Sequence, residues 1–365
     1  MSDTEGNDGS TDHPDTTAAG LRRRTFVSGV GASAAGLAGV VSGRGAPGTD
    51  EGDEQEDDER GDDEGDDSDG GRGRKQKGEF PDLIAHRGFA GMYPENTVGA
   101  VERAARGGKS PRSRSRAADS VEIDVMPTGD GDVVVFHDDR LAGRDGGERG
   151  LTDAEGLVWE TDTETVTDAE VLQSGETVPL LSAVLDAIPR HVGVNVELKN
   201  PGSSDLRFAA NLSGSDLETQ SEIWRPFVND VLDVVDDYHN DFLFSSFYEA
   251  ALATTREASE YPVAPLLWDS VEDGLAIAEE YDAEAIHPPY NMVQGTPFYA
   301  DEYYTEGSEW ADTDLLAEAH DAGRDVNVYT VGTWYQAERL SAAGVDGLIA
   351  DYPGLLRFGA ERGDR

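Results

Sequence analysis

Two histidines, an arginine, a lysine and three carboxylates stand where simple alternation along extended chain can bring them together. His86 and Arg87 close the run Leu83-Ile84-Ala85. Glu122 and Asp124 alternate within Val121-Glu122-Ile123-Asp124-Val125, so on a strand both carboxylates point to one face. Gly129-Asp130-Gly131 is a strong turn signal ahead of Val133-Val134-Val135-Phe136-His137-Asp138. The chain is expected to run up from Asp124, turn, and return with His137 opposite it. Asn195, Glu197 and Lys199 alternate in the same way. Glu122, Asp124 and Glu197 are hard oxygen ligands suited to one divalent cation. Arg87 and Lys199 can neutralise an anion, and the arginine fork suits phosphate. His86 and His137 are left as general acid and general base, each proton transfer worth about 10²–10⁴-fold. One metal, two cations and two imidazoles fit in-line displacement at a phosphodiester.

These side chains need strands that end at a common face. Apolar runs place strands at 83–86, 121–125, 193–198, 242–246, 263–268, 285–287, 326–330 and 347–350. Helical stretches fall between most of them, at 96–106, 180–188, 224–238, 249–259, 271–280, 313–322 and 334–343. Gly323 and Gly344 suit the C-terminal caps of the last two. Eight strands with interleaved helices imply an α/β fold, a (β/α)8 TIM barrel, with an open doubly wound sheet as the alternative. In a barrel all seven polar residues converge on the C-terminal mouth. No G-x-G-x-x-G follows the first strand, which argues against a dinucleotide site. The stretch 141–178 after the His137 hairpin is expected to form a small insertion at the mouth. The stretch 106–118, with Lys109, Arg112, Arg114 and Arg116, belongs at the opposite end. The loop 287–310, rich in Tyr, Phe and Trp, also follows a strand and so belongs at the mouth.

The chain has 365 residues and a formal net charge of -46, from 75 acidic against 29 basic side chains. That balance excludes simple phosphate-backbone binding to nucleic acid. It suits a brine or a high-salt cytoplasm, where a Debye length of about 3 Å screens the self-repulsion. The absence of cysteine excludes disulfides, thiolate zinc sites, a cysteine nucleophile and a lipobox anchor. Residues 1–46 hold a polar start, then Arg22-Arg23-Arg24-Thr25-Phe26-Val27 and a mildly apolar run rich in Gly and Ala. That order resembles a twin-arginine export signal, either cleaved or kept as an uncleaved anchor. The expected location is therefore extracellular or at the cell surface, with the Tat export machinery as a partner and a peripheral membrane contact. Residues 47–78 are an acidic linker unable to bury apolar surface, and the folded domain spans 79–360.

His86-Arg87-Gly88, Pro94-Glu95-Asn96-Thr97, Glu122-x-Asp124, His137-Asp138 and Glu197-x-Lys199 together resemble the glycerophosphodiester phosphodiesterase family. The likeness extends to Ser245-Ser246-Phe247 and to the closing stretch from Gly344 to Pro353. It implies a TIM barrel that hydrolyses glycerophosphodiesters to an alcohol and sn-glycerol 3-phosphate with Mg²⁺ or Ca²⁺. The small insertion after the second histidine is a family feature. The likeness implies an acid/base pair at His86 and His137, and metal ligands at Glu122, Asp124 and Glu197. It also implies phosphate contacts at Arg87 and Lys199, and support from Glu95 that orients His86 or the metal. Where the family often carries Trp-Thr-x-Asn, this chain reads Tyr329-Thr330-Val331-Gly332. Tyr329 is expected to stack over substrate, and the missing Asn changes the leaving-group contacts. The same machinery would serve a lysophospholipase D or phospholipase-like enzyme acting on lipids. A non-catalytic exported binding protein is the other alternative.

Overall fold

A computed structural model describes residues 80–107, 117–142, 151–301 and 313–356. The export-like signal, the acidic linker, the basic residues from Lys109 to Arg116 and part of the aromatic loop lie outside the described residues. Among the described residues, nine strands occur in chain order. They are β1 Asp82–Ala85, β2 Ser120–Pro127, β3 Val133–Val135, β4 Gly193–Leu198 and β5 Phe242–Ser246. Then come β6 Val263–Pro265, β7 Ala285–Ile286, β8 Asp325–Val331 and β9 Gly347–Ala350. All but β3 are parallel, in the order β6-β5-β4-β2-β1-β9-β8-β7. A parallel bridge between Leu266 and His287 joins the two remaining edges, with Leu267 N donating to His287 O at 3.0 Å. The expected barrel therefore forms, rather than the open sheet.

Alternation gives each strand two chemistries. Val121, Ile123, Val125, Val194, Val196 and Leu198 face outward into the main apolar cluster shared with the helices. Inside the barrel, Ile84, Leu266, Tyr329 and Ile349 form a separate small cluster. The helices are α1 Val98–Arg106, α2 Thr163–Asp168, α3 Leu181–Ala187, α4 Gly214–Val235 and α5 Glu249–Ala258. They continue with α6 Val271–Glu280, α7 Leu315–Asp321 and α8 Trp334–Ala343. Thr97 caps α1 by accepting from Ala100 N at 3.2 Å. A capping box of Thr333 and Gln336 starts α8, and Gly344 ends it with φ +97. α4 begins ten residues ahead of the expected 224, through a polar turn around Glu218 and Glu222 that carries no apolar stripe.

The insertion after β3 has its own core. Leu141, Leu151, Val158, Val166 and Val171 pack on Met126, Val134 and Phe136 of the β2–β3 hairpin. Asn200 Nδ2 reaches Asp139 Oδ1 at 3.3 Å, so the insertion abuts the loop after β4 beside the mouth.

Among the described residues, Trp224 is the largest fully buried side chain, 5.3 Å by ring centroid from Tyr248. Trp224→Ala is expected to cost about 3–5 kcal/mol in urea unfolding. Trp224→Phe should cost much less, because the indole Nε1 it removes has no hydrogen-bond partner.

Candidate active site

The strand expected to end on His86 stops at Ala85, and His86–Gly88 forms a tight 3-10 turn. Arg87, Gly88 and Phe89 all take left-handed backbone, with φ of 51, 75 and 70. A Cβ at Gly88 would lie 2.9 Å from Ala100 Cβ, so this position needs glycine to let the turn approach α1. The turn aims Arg87 back into the barrel. Its backbone N donates to Glu122 Oε2 at 2.7 Å, and its Nη1 donates to Glu95 Oε1 at 2.9 Å. Its Nε lies 3.1 Å from Asp124 Oδ2.

The other groups converge as their spacing implied. Glu122, Asp124 and Glu197 each offer a carboxylate oxygen within 4.8 Å of the others. The register sets Asp124 beside Glu197 and Glu122 beside Asn195. Lys199 Nζ lies 2.5 Å from Glu197 Oε1 and 3.5 Å from Asp124 Oδ1. It also stands 5.6 Å from the Phe247 ring centroid. The hairpin register is one position from the expected one. Val125 pairs with Val135 and Phe136 N donates to Asp124 O at 2.9 Å, so Phe136 rather than His137 sits across from Asp124. His137 follows just beyond, with Nδ1 2.5 Å from Asp138 Oδ1.

Three further partners complete the site, two of them with no role assigned from sequence. Asp351, after β9, holds His86 Nδ1 at 2.7 Å. Glu95, expected to orient His86 or the metal, lies against Arg87. Asn96, with φ 58, donates from Nδ2 to Asp124 Oδ2 at 2.7 Å and accepts from Asp124 N at 3.3 Å. All three belong to the quoted motifs, so the signal was present, but spacing alone does not pair residues from different strands. Tyr329 is buried on β8, with its hydroxyl donating to Leu267 O and its ring 6.0 Å from Phe247. Phe208 and Trp268 extend this aromatic wall outward from Phe247, at 5.1 and 5.9 Å.

Burial sets the electrostatics. Burial raises the Glu122 carboxyl well above its ordinary range, and the neighbouring Asp124 and Glu197 add to the rise. Glu197 is raised by burial as well, against the pull of Lys199. Burial would raise Asp124 too, but Arg87 and Lys199 outweigh it and hold this carboxyl well below the usual range. The same carboxylates raise Arg87 and Lys199 despite burial. Burial, with Arg87 and Lys199 close by, pulls His137 down to about 4.

The residues fit a divalent cation. Glu122 Oε1 and Asp124 Oδ1 are buried and make no hydrogen bond, so each is available as a ligand. Asn96→Gly keeps the left-handed backbone and removes only the carboxamide that fixes Asp124. It is expected to cut metal affinity or turnover about 10–100-fold with the melting transition retained, as read by metal titration and thermal unfolding.

The match to known proteins covers this architecture. Residues 86–355 fit the family described as "Glycerophosphoryl diester phosphodiesterase family". A glycerophosphodiester phosphodiesterase of Bacillus altitudinis is 26% identical over 280 residues, 74% of this chain and 94% of that protein. An uncharacterized protein of Bacillus subtilis, YqiK, is 28% identical over 278 residues, 74% of this chain and 95% of its own length. A phosphodiesterase of Oleispira antarctica, solved in complex with the product sn-glycerol-3-phosphate, superposes with a TM-score of 0.57 at 23% identity, covering 77% of this chain and 97% of that one. A glycerophosphodiester phosphodiesterase of Thermotoga maritima superposes with a TM-score of 0.53 at 21% identity, covering 77% and 98%. With the family pattern matched from His86 to Leu355, the chain belongs to the glycerophosphoryl diester phosphodiesterase family, whose members are phosphoric diester hydrolases.

Proposed function

We propose that this protein hydrolyses glycerophosphodiesters to sn-glycerol 3-phosphate and an alcohol, with His86 and His137 as the acid/base pair and a divalent cation at Glu122, Asp124 and Glu197. One observation carries the reading. A buried carboxylate triad lies against a partly buried arginine and lysine, and two histidines are each backed by an aspartate. The names of the relatives supply the substrate class.

The chain's own groups divide the work. Arg87 and Lys199 bind the phosphate oxygens and offset charge that builds on them. Asp138 holds His137 Nδ1, which leaves Nε2 free to accept a proton. Because His137 is held neutral at neutral pH, it takes a proton from the water molecule whose oxygen bonds to phosphorus. His86, tied through Nδ1 to Asp351, protonates the departing oxygen as the second P–O bond breaks. Mg²⁺ or Ca²⁺ at the triad would supply Lewis-acid polarisation of the phosphoryl oxygens. The aromatic wall of Phe247, Trp268 and Tyr329 supplies an apolar side to the mouth against which one alcohol can rest.

Release of glycerol 3-phosphate from glycerophosphocholine tests the reading. EDTA should abolish it, and Mg²⁺ or Ca²⁺ should restore it. Metal-independent release would move the cation out of the reaction. His86→Ala and His137→Ala should each lower kcat about 10²–10⁴-fold with folding intact. Near-parental turnover in either would overturn the roles.

The pH profile gives an independent reading. The base form of His137 is lost only as pH falls through about 4. The limb it contributes to kcat/KM should therefore lie well below the ordinary histidine value of about 6.5. An acid limb near 6.5 that vanishes in His137→Gln would count against this assignment.

A further inference from the structure

Large exposed hydrophobic side chains are not scattered over the described residues. Met92 (56% exposed) follows β1, Phe208 (39%) follows β4, Trp334 (52%) and Tyr335 (40%) follow β8, and Tyr352 (39%) follows β9. Each stands just beyond the C-terminal end of a parallel strand, so all five rim the mouth of the barrel. Leu172 lies in the insertion after β3, and Phe80 alone among these exposed groups precedes a strand. Single exposed apolar residues are ordinary, but this one-sided distribution is not.

The rim is built rather than loose. Ala209 N donates to Phe247 O at 3.0 Å, and Arg207 N donates to the buried Gln220 Oε1 at 3.0 Å, so Phe208 is pinned from both sides. Tyr352 closes over Gly91, where any Cβ would lie 2.4 Å from its ring, and Gly91 N donates to Asp351 O at 3.2 Å. That contact joins the loop carrying Met92 to the end of β9. Trp334 and Tyr335 start α8 behind its capping box, with ring centroids 6.1 Å apart.

Among the described residues, the rim surrounds the barrel mouth, the opening on the side of the carboxylate triad. A protein partner or a second copy seated on it would shut that opening. A fluid lipid surface would cover the rim and also deliver phosphodiester headgroups to its centre. Trp and Tyr, with an apolar body and a polar tip, suit the boundary between lipid and water. With a formal net charge of -46, the chain has no overall attraction to an anionic surface. Contact through the rim would therefore be apolar and tolerant of salt.

We propose that the mouth rim of Met92, Phe208, Trp334, Tyr335 and Tyr352 is a docking surface for a neutral or zwitterionic lipid–water interface, so that the enzyme draws phosphodiester lipids from that surface. The choice of substrate rests on the phosphodiesterase reading, whereas the docking itself does not. Vesicle binding is measured without turnover, so failure of one leaves the other standing.

The test is co-sedimentation of the full chain with phosphatidylcholine vesicles, in dilute buffer and in molar salt. Sedimentation velocity without lipid runs beside it. The expected result is binding that persists in molar salt and falls about tenfold or more in Met92→Ser/Trp334→Ser. Turnover of a water-soluble diester should stay at the parental level in that variant, which also shows that it is folded. Absence of binding, equal binding by the variant, or loss of binding in molar salt would overturn the proposal. Self-association in the lipid-free run that the double substitution abolishes would overturn it too, by assigning the rim to a second copy.

Discussion

Three carboxylates buried inside a barrel are the constraint on which the rest of this structure depends. Burying one unpaired carboxylate costs several kcal/mol, and burying three together adds repulsion. The fold meets that cost with specific groups. Arg87 and Lys199 stand against Asp124, the backbone of Arg87 donates to Glu122, and Asn96 clamps Asp124. The compensation is uneven. Asp124 gets most of it and stays ionised, while Glu122 and Glu197 are pushed toward their neutral forms. A cluster so balanced is poised to accept further positive charge, which is the electrostatic condition of a metal site.

Positioning these charges explains several local departures from regular structure. The left-handed run from Arg87 to Phe89 is uncommon for non-glycine residues. It is the route by which a residue just past β1 folds back to face β2. Asn96 uses a left-handed backbone for the same purpose, turning its carboxamide toward Asp124. The strain is local, and the packing of Phe89 and Ala100 beneath it holds the turn in place.

Much of this was legible in the sequence because polarity alternates with the pleat. Val121, Ile123 and Val125 mark the outer face of β2, and Glu122 and Asp124 then have only the interior to occupy. The same reasoning placed Glu197 and Lys199. What stayed hidden is of four kinds. The first turns of α4 are polar, and no apolar period announces them. The exact register of the β2–β3 hairpin depends on the geometry of the turn at Gly129-Asp130-Gly131, not on its mere presence. Partners such as Asp351 and Asn96 come together only when the barrel closes, and no spacing rule predicts which carboxylate meets which histidine. The exposed rim is likewise invisible in one dimension, since a tryptophan in sequence carries no sign of which way it faces.

The bond between His86 and Asp351 spans 265 positions, and β1 completes its hydrogen bonding only by pairing with β9. Among the described residues, the first strand must therefore wait for the last. Contacts of such high sequence separation are slow to form, because the loop entropy is paid before the contact stabilises anything. A nascent or truncated chain could gather the β2–β4 carboxylates early yet would still lack an oriented first histidine. On the proposed roles the site is consequently completed only when the barrel closes, and an open barrel would hold its carboxylates without Asp351 beside His86.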